Sequence, residues 1–244
     1  MSLALFFFVV FVPFVFSFII AFVIFCKRTF HFIALLVLSL LSLASLLLAS
    51  FTQALISLLV EFQNTSSSFF TSIFRAYVYS SFIEECFKIF IFYLFAKYLL
   101  NRFMLLKNDN NTIEYVRKNC KEETNIILKQ NAKECVLLIM FFASSFAGFE
   151  NIAYIAIDPN IWPYRLFSAS LLHILLSPIY VGVLRNTTLS FFSSVMIAII
   201  LHGSYNFIAS NMGLLYAYAI IALLLIKNIF YFSQSNKNFF LNAL

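Results

Sequence analysis

Apolar runs of roughly 20 residues recur along the chain and restrict its fold more than any other feature. A run of this length crosses a hydrocarbon core of about 30 Å as a helix, since each helical residue adds about 1.5 Å. The backbone must satisfy its own hydrogen bonds within lipid, which favours helices. Hydrophobic residues make up 63% of the 244 residues and charged residues 11%, which excludes an ordinary soluble domain. The sequence therefore predicts an all-α, polytopic membrane helix bundle.

Seven apolar runs are each predicted to span the membrane. They lie at roughly 3–26, 32–56, 76–100, 135–157, 165–184, 188–209 and 213–232. The second run continues past Gln53 to Val60, so its last turns are either a tilted continuation or an interfacial turn. The first run lacks the basic region and small-residue cleavage site of a removable signal peptide, so we interpret it as a permanent anchor. Residues 1–244 are expected to form a single membrane domain.

Most basic residues fall on one side of this seven-span arrangement, which indicates its orientation because cytoplasmic loops attract Lys and Arg. That side holds Lys27, Arg28, Lys97, Arg102, Lys107, Arg117, Lys118, Lys121, Lys129, Lys133, Arg185, Lys227 and Lys237. Only Arg75 and Arg165 fall on the other side. We therefore expect the N-terminus outside, the C-terminus inside and a cytoplasmic loop at about 101–134 near anionic lipid. The net charge of +6 then reflects topology, and no nucleic-acid partner is expected.

Ionisable residues inside the predicted spans are costly and therefore informative. They are Glu84, Glu85, Lys88, Glu150, His173 and His202. Each full charge at the middle of a membrane costs about 2.5–3.5 kcal/mol. Three unpaired carboxylates would cost roughly 8–10 kcal/mol, which is comparable to the stability of a whole domain. These side chains must therefore face one another or water.

The helical spacing of these residues places one polar stripe on each of four predicted spans. The stripes are Glu84 with Lys88, Glu150 with Tyr154, His173 with Ser170 and Ser177, and His202 with Asn206. Counted inward from the outer surface, the two glutamates and the two histidines all lie roughly 10–15 Å deep at about 1.5 Å per residue. We therefore expect the four stripes to share one cavity.

Two histidines and two or three carboxylates at one depth suit the activation of a water molecule. A glutamate can act as the general base. Glu150, His173 and His202 also suit a zinc site with three protein ligands and an open position. His202 and Asn206 could instead donate hydrogen bonds to an oxyanion. The residues alone leave these assignments open.

Four blocks of the sequence together resemble the PrsW-type intramembrane proteases, relatives of the CAAX-processing and bacteriocin-processing membrane peptidases. The blocks are EECFK at 84–88, GFENIAY at 148–154, His173 and HGSYNF at 202–207. In that family a paired-glutamate block with a basic residue, a second glutamate and two histidines on later helices form the active site. The order and spacing match over about residues 80–210, and Arg165 resembles the family's basic residue at the start of the helix that carries the first histidine.

The resemblance implies an intramembrane endopeptidase that cuts a membrane-anchored protein such as an anti-sigma factor. It implies the cytoplasmic membrane of a bacterium, and either a divalent metal such as zinc or no cofactor. The candidate catalytic residues are Glu84, Glu85, Glu150, His173, His202 and Asn206. The candidate supporting residues are Lys88, Asn151 and Tyr154. The candidate metal ligands are Glu150, His173 and His202.

Two other classes of protein remain alternatives. A proton- or ion-coupled transporter also carries Glu and His within its spans, but the sequence shows neither an inverted repeat nor a pair of helices broken by Gly or Pro. A catalytically silent scaffold or immunity protein would keep the fold without the activity. In that case Glu84 and Lys88 would be a structural ion pair, and Glu84→Gln would be tolerated.

Overall fold

The computed structural model describes residues 12–26, 32–59, 69–97, 132–158, 160, 162–180 and 188–234, and the regular elements in these ranges are helical. A 3-10 turn at Val12–Phe14 precedes the first α-helix, and a π-helix at Phe74–Phe82 joins α3 to α4. The α-helices are α1 (Val15–Cys26), α2 (Phe32–Leu59), α3 (Phe69–Ile73), α4 (Ile83–Phe95), α5 (Ala132–Ile157), α6 (Trp162–Phe167), α7 (Ala169–Leu176), α8 (Thr188–Asn211) and α9 (Leu214–Gln234). The prediction of an all-α fold is confirmed over the described residues.

Three of the described helical stretches are long and apolar enough to cross a membrane, namely Phe32–Leu58, Val136–Ile157 and Phe191–Asn211. Two shorter apolar stretches, Val12–Ile24 and Leu214–Phe230, coincide with the first and seventh predicted spans. The count of seven spans and the orientation of the termini stay predictions. The predicted loop at about 101–134 lies outside the described residues as far as residue 131.

The third and fifth predicted spans are not single regular α-helices. The third is helical from Phe69 and contains the π-helix in its first half. The fifth is interrupted at Ser168, where φ is −121° and ψ is −74°, and a 3-10 turn at 177–180 follows α7. Pro178 lies in that turn and has no backbone N–H to donate, which explains why the α-helix ends before it.

Two apolar clusters hold the described helices together. The larger joins α1, α2, α4, α5 and α8 through residues such as Ile24, Leu38, Phe92, Phe142 and Ala198. The second joins α7, α8 and α9. Helix α5 packs against α4 and α7, and α8 packs against the same two helices. The four helices that carry the predicted polar stripes are therefore neighbours.

The π-helix approaches α8 closely because position 203 of α8 is a glycine. A Cβ atom on Gly203 would lie only 2.3 Å from Cδ1 of Tyr77, so the ring occupies the space that a side chain would need. The Tyr77 hydroxyl forms a hydrogen bond of 2.8 Å with Oγ of Ser204. This contact fixes the distance between the π-helix and α8 just beside the polar stripes.

Candidate active site

A cavity of about 630 Å³ lies where these helices meet. Its lining includes Glu84, Glu150, His173, His202 and Asn206, which come from α4, α5, α7 and α8. Polar side chains of the π-helix and of α6 complete the wall on one side. Each predicted stripe therefore contributes to this cavity, but Lys88, Ser170, Ser177 and the candidate catalytic residue Glu85 are not in its described lining.

Glu84 has one carboxylate oxygen held by the protein and one without a partner. Its Oε1 accepts hydrogen bonds from Oγ of Ser80 at 3.1 Å and from Nε2 of Gln53 at 3.4 Å. Its Oε2 is buried and has no hydrogen-bond partner among the described residues. This atom lies 3.9 Å from Nε2 of His202. An unpaired buried carboxylate oxygen is rare in proteins and indicates that a water molecule, a cation or a substrate group belongs beside it.

Glu85, by contrast, has both oxygens occupied and is completely buried. Its Oε1 accepts from Nδ1 of His202 at 2.7 Å and from the Lys88 ammonium, and its Oε2 accepts from the Tyr180 hydroxyl. A carboxylate can only accept hydrogen bonds, so Nδ1 of His202 carries the proton. In the neutral ring the lone pair is then on Nε2, the nitrogen nearer to Glu84.

His173 is held in the opposite tautomer. Its Nδ1 lies 3.0 Å from Nζ of Lys88, and an ammonium can only donate, so Nδ1 accepts. The proton of the neutral ring is therefore on Nε2, which lies 3.1 Å from Oε2 of Glu150. Lys88 itself is completely buried between Glu85, His173 and the ring of Phe146, 4.7 Å from its centroid. It pairs within the protein and does not face lipid.

Arg165 links Glu150 to the residues around it. The guanidinium donates to Oε1 of Glu150 at 2.7 Å and to Oδ1 of Asn151 at 3.0 Å. It stacks 3.6 Å from the centroid of the Tyr154 ring. The amide of Asn151 also donates to Oγ of Ser170 at 2.7 Å. Asn151 and Tyr154, the predicted supporting residues of α5, therefore contact the arginine of α6, which fixes one side of the Glu150 carboxylate.

Asn206 lies one turn after His202 and lines the same cavity. Its amide nitrogen is 3.1 Å from Oγ of Ser80 and 3.2 Å from Oγ of Ser81. Both contacts reach the π-helix, and Ser80 also donates to Glu84. Asn206 therefore connects α8 to the segment that positions Glu84.

A possible metal-binding group is formed by Glu84, His173 and His202. Each offers one ligand atom, and these atoms all lie within 4.8 Å of one another. The sequence analysis expected Glu150 with the two histidines, whereas in the structure Glu150 is paired with Arg165. Two imidazoles and a carboxylate are a donor set that zinc uses in hydrolytic enzymes. Oε2 of Glu84 and Nε2 of His202 suit a divalent metal ion as they stand, whereas His173 would have to exchange its contact with Lys88 or with Glu150 for the metal.

Three contributors to the site were missed by the sequence analysis. Gln53 interrupts an apolar run of α2, and Ser80 precedes Glu84 by one helical turn. Each is a polar residue within a predicted span, and this was the signal that could have indicated a role in the site. Tyr180 follows His173 by seven residues, a spacing that returns to the same face of a helix.

Buried carboxylates and histidines around a cavity, inside an apolar helical bundle, suit a membrane-embedded hydrolytic enzyme. Comparison with known families makes this specific, because residues 28–231 match the PrsW family intramembrane metalloproteases. The chain belongs to that family, and it is an integral membrane protein and an intramembrane protease. No curated protein and no solved structure matches the chain.

Proposed function

We propose that this protein is an endopeptidase that hydrolyses a peptide bond of a membrane-anchored protein substrate with water activated at Glu84. The observation that carries the proposal is Oε2 of Glu84, which has no hydrogen-bond partner in the described parts of the chain and lies beside His202 in the wall of a cavity. A catalytically silent scaffold would not require this arrangement, whereas an ion- or proton-coupled transporter could use it, and the match to a protease family favours hydrolysis over transport.

The distance between Oε2 of Glu84 and Nε2 of His202 suits one bridging water. At 3.9 Å the two atoms are too far apart for a direct hydrogen bond but close enough for both to contact one water. Glu84 accepts a proton from that water as general base while the water oxygen bonds to the peptide carbonyl carbon. Glu84 then returns the proton to the leaving nitrogen as the C–N bond breaks. Asn206, on the same wall, is our candidate donor to the carbonyl oxygen, and it would exchange its contact with Ser80 or with Ser81 for that oxygen.

The same side chains are compatible with a metal-assisted reaction. Glu84, His173 and His202 would hold a divalent ion such as zinc, which supplies a Lewis acid that polarises a carbonyl group and acidifies water. As a ligand Glu84 would no longer be available as the base. Glu150, held by Arg165, would then be the carboxylate that accepts the proton, and His173 would give up its contact with Lys88 or with Glu150 to bind the metal.

The second set of residues keeps these groups in place. Glu85 and Lys88 are completely buried and saturated by protein contacts, so we assign them to orienting the two histidine rings. Arg165, with Asn151 and Tyr154, is assigned to holding Glu150. Such outer contacts are worth about 10–100-fold in activity or metal affinity in enzymes where they have been removed.

The family supports a substrate that is itself embedded in or anchored to a membrane. We propose an anti-sigma-factor-like protein in the cytoplasmic membrane of a bacterium. We also propose a single membrane domain of seven spans, with the N-terminus outside and the C-terminus inside. The basic residues of the sequence and the apolar helices at both ends of the described chain support this topology.

The decisive experiment compares membrane proteins from cells that produce the wild-type chain, Glu84→Gln or Asp158→Asn. Asp158 is an exposed carboxylate directly after α5, and it makes a matched control because it is not in the described cavity lining. Mass spectrometry of new protein termini should find a fragment of a membrane-anchored protein with the wild type and Asp158→Asn, and lose it with Glu84→Gln.

The single variants His173→Ala and His202→Ala should be as inactive as Glu84→Gln, and combining the changes should add little, because the residues act as a unit. Identical fragments from all the variants, at equal amounts of inserted protein, would reject the protease mechanism at this site. Solute movement without any cleavage would favour the transporter instead.

A further inference from the structure

Tyr180 is a completely buried tyrosine whose hydroxyl contacts Glu85 without lining the cavity. It lies at the end of the 3-10 turn after α7 and donates a hydrogen bond to Oε2 of Glu85 in α4. Its ring packs in the larger apolar cluster. The hydroxyl is therefore a polar atom in an apolar setting, with the carboxylate as its partner.

We propose that Tyr180 is a positioning residue for the hydrolysis, which acts through Glu85 to hold His202 with Nε2 towards Glu84. This inference rests on the proposed function of the cavity. Tyr180 contacts neither the cavity nor the reacting atoms, since the described cavity lining contains neither Tyr180 nor Glu85. Its effect must pass through the carboxylate.

The arrangement of the donors around Glu85 shows why the hydroxyl matters. Oε1 of Glu85 accepts hydrogen bonds from both Lys88 and His202, whereas Oε2 accepts one from Tyr180. A buried carboxylate oxygen that loses its only donor pays a desolvation cost and will seek another donor. Lys88 is the nearest cation and can turn towards Oε2, because an ammonium has three hydrogens. The carboxylate would then be drawn away from Nδ1 of His202, and the ring would lose the contact that sets its tautomer.

The two histidine rings are packed closely together, so a movement of Glu85 or Lys88 would disturb them. The rings of His173 and His202 lie 5.0 Å apart between centroids and are perpendicular to each other. Lys88 also contacts Nδ1 of His173, so a shift of Lys88 towards Oε2 changes the surroundings of both rings. The larger effect is expected at His202, because its Nδ1 shares the Oε1 atom directly.

The first test replaces Tyr180 by Phe, which keeps the packed ring and removes only the hydroxyl. Tyr93→Phe is the matched control, since Tyr93 is a partly buried tyrosine of the same cluster that lies outside the cavity lining. With the full chain in lipid vesicles, acting on the membrane substrate found by terminal mass spectrometry, Tyr180→Phe should lower kcat by about 10–100-fold with KM changed less than about twofold. Tyr93→Phe should keep both constants near those of the wild type.

A double-mutant cycle tests whether the effect passes through Glu85. Tyr180→Phe should slow the wild type but produce little further loss in a Glu85→Gln background, because the contact that it removes is already altered. Fully additive losses, or a kcat for Tyr180→Phe equal to that of the wild type, would overturn the proposal.

A spectroscopic measurement tests the same inference without any substrate. The chain has three histidines, so a protein labelled with nitrogen-15 in histidine gives few side-chain signals, and His173→Ala and His202→Ala assign two of them. We expect Nδ1 of His202 to be protonated in the wild type and in Tyr93→Phe, and a mixture of tautomers in Tyr180→Phe.

An unchanged His202 signal in Tyr180→Phe would overturn the positioning role even if the protein cleaves its substrate. Absence of cleavage by the wild type, together with the expected change at His202, would reject the proposed function and leave the Tyr180–Glu85–His202 link standing.

Discussion

Gly203→Ala should be among the most damaging of small substitutions, although it adds a single methyl group. The new Cβ would lie 2.3 Å from Cδ1, 2.7 Å from Cγ and 2.8 Å from Cε1 of Tyr77. Carbon atoms prefer a separation of about 3.5–4.0 Å, so the ring must retreat by roughly 1.2–1.7 Å. Overpacking of this kind costs about 1–3 kcal/mol of stability.

The displacement of the Tyr77 ring should also lower the catalytic activity, because Tyr77 belongs to the π-helix that carries Ser80. Ser80 donates a hydrogen bond to Glu84 and accepts one from Asn206 of α8. Moving the π-helix away from α8 should therefore separate Glu84 from His202. A misplacement of about 1 Å can cost on the order of 100-fold in rate. We therefore expect a loss of about that size in the processing of the membrane substrate, measured in vesicles, with a lower thermal unfolding midpoint in detergent.

Gly213→Ala is the matched control for this experiment. Gly213 has a φ of +102° and nothing within 4 Å of an added Cβ, so alanine there introduces backbone strain without a clash. It should lower stability and leave processing nearly unchanged. Tyr77→Ala removes the obstructing ring, so Gly203→Ala should cost less than about 0.5 kcal/mol in that background. Full activity of Gly203→Ala, or the same loss with and without the Tyr77 ring, would refute the link between this contact and the site.

Three further predictions concern topology, the arginine and the metal. Reporters fused after Lys107 and at the C-terminus should report the cytoplasm, and fusions near Thr65 and Asn160 the outside; the reverse pattern would contradict the shared-depth argument. Arg165→Lys should slow processing by at least about tenfold, because an ammonium cannot hold Glu150 and Asn151 with the geometry of a guanidinium. A normal rate would show that Arg165 does not contribute to the activity. Dialysis against a strong chelator should abolish processing if the reaction needs a metal, and zinc should restore it; unchanged activity of verified metal-free protein would favour the metal-free mechanism.

The sequence predicted the helical class and the shared cavity because both follow from the cost of burying polar groups in lipid. Counting residues inward from the outer surface placed Glu84, Glu150, His173 and His202 at one depth, and Glu84, His173 and His202 do converge. It did not predict the π-helix or the break at Ser168, since neither changes the apolar character of the run.

The sequence also could not predict which glutamate lies with the two histidines in the possible metal-binding group, for a different reason. Glu150 and Glu84 stood at similar predicted depths on neighbouring helices, and only the partner of each carboxylate distinguishes them. Arg165 and His173 contact the two oxygens of Glu150, whereas Oε2 of Glu84 has no hydrogen-bond partner among the described residues. The contact of Tyr180 with Glu85 spans 95 positions of the chain, and such contacts depend on side-chain packing that hydropathy does not encode.

The π-helix before Glu84 also determines how this protein can tolerate insertions and deletions. In a π-helix each N–H bonds to the carbonyl five residues back, so each residue turns the chain by less than the about 100° of an α-helix. Adding or removing a residue between 74 and 82 therefore changes the rotation of α4 relative to Tyr77, which packs against Gly203, and should move Glu84, Glu85 and Lys88 relative to the histidines. Ordinary point substitutions at lipid-facing positions of the same segment leave the register intact. The length of this nine-residue stretch is therefore under a stricter constraint than its composition.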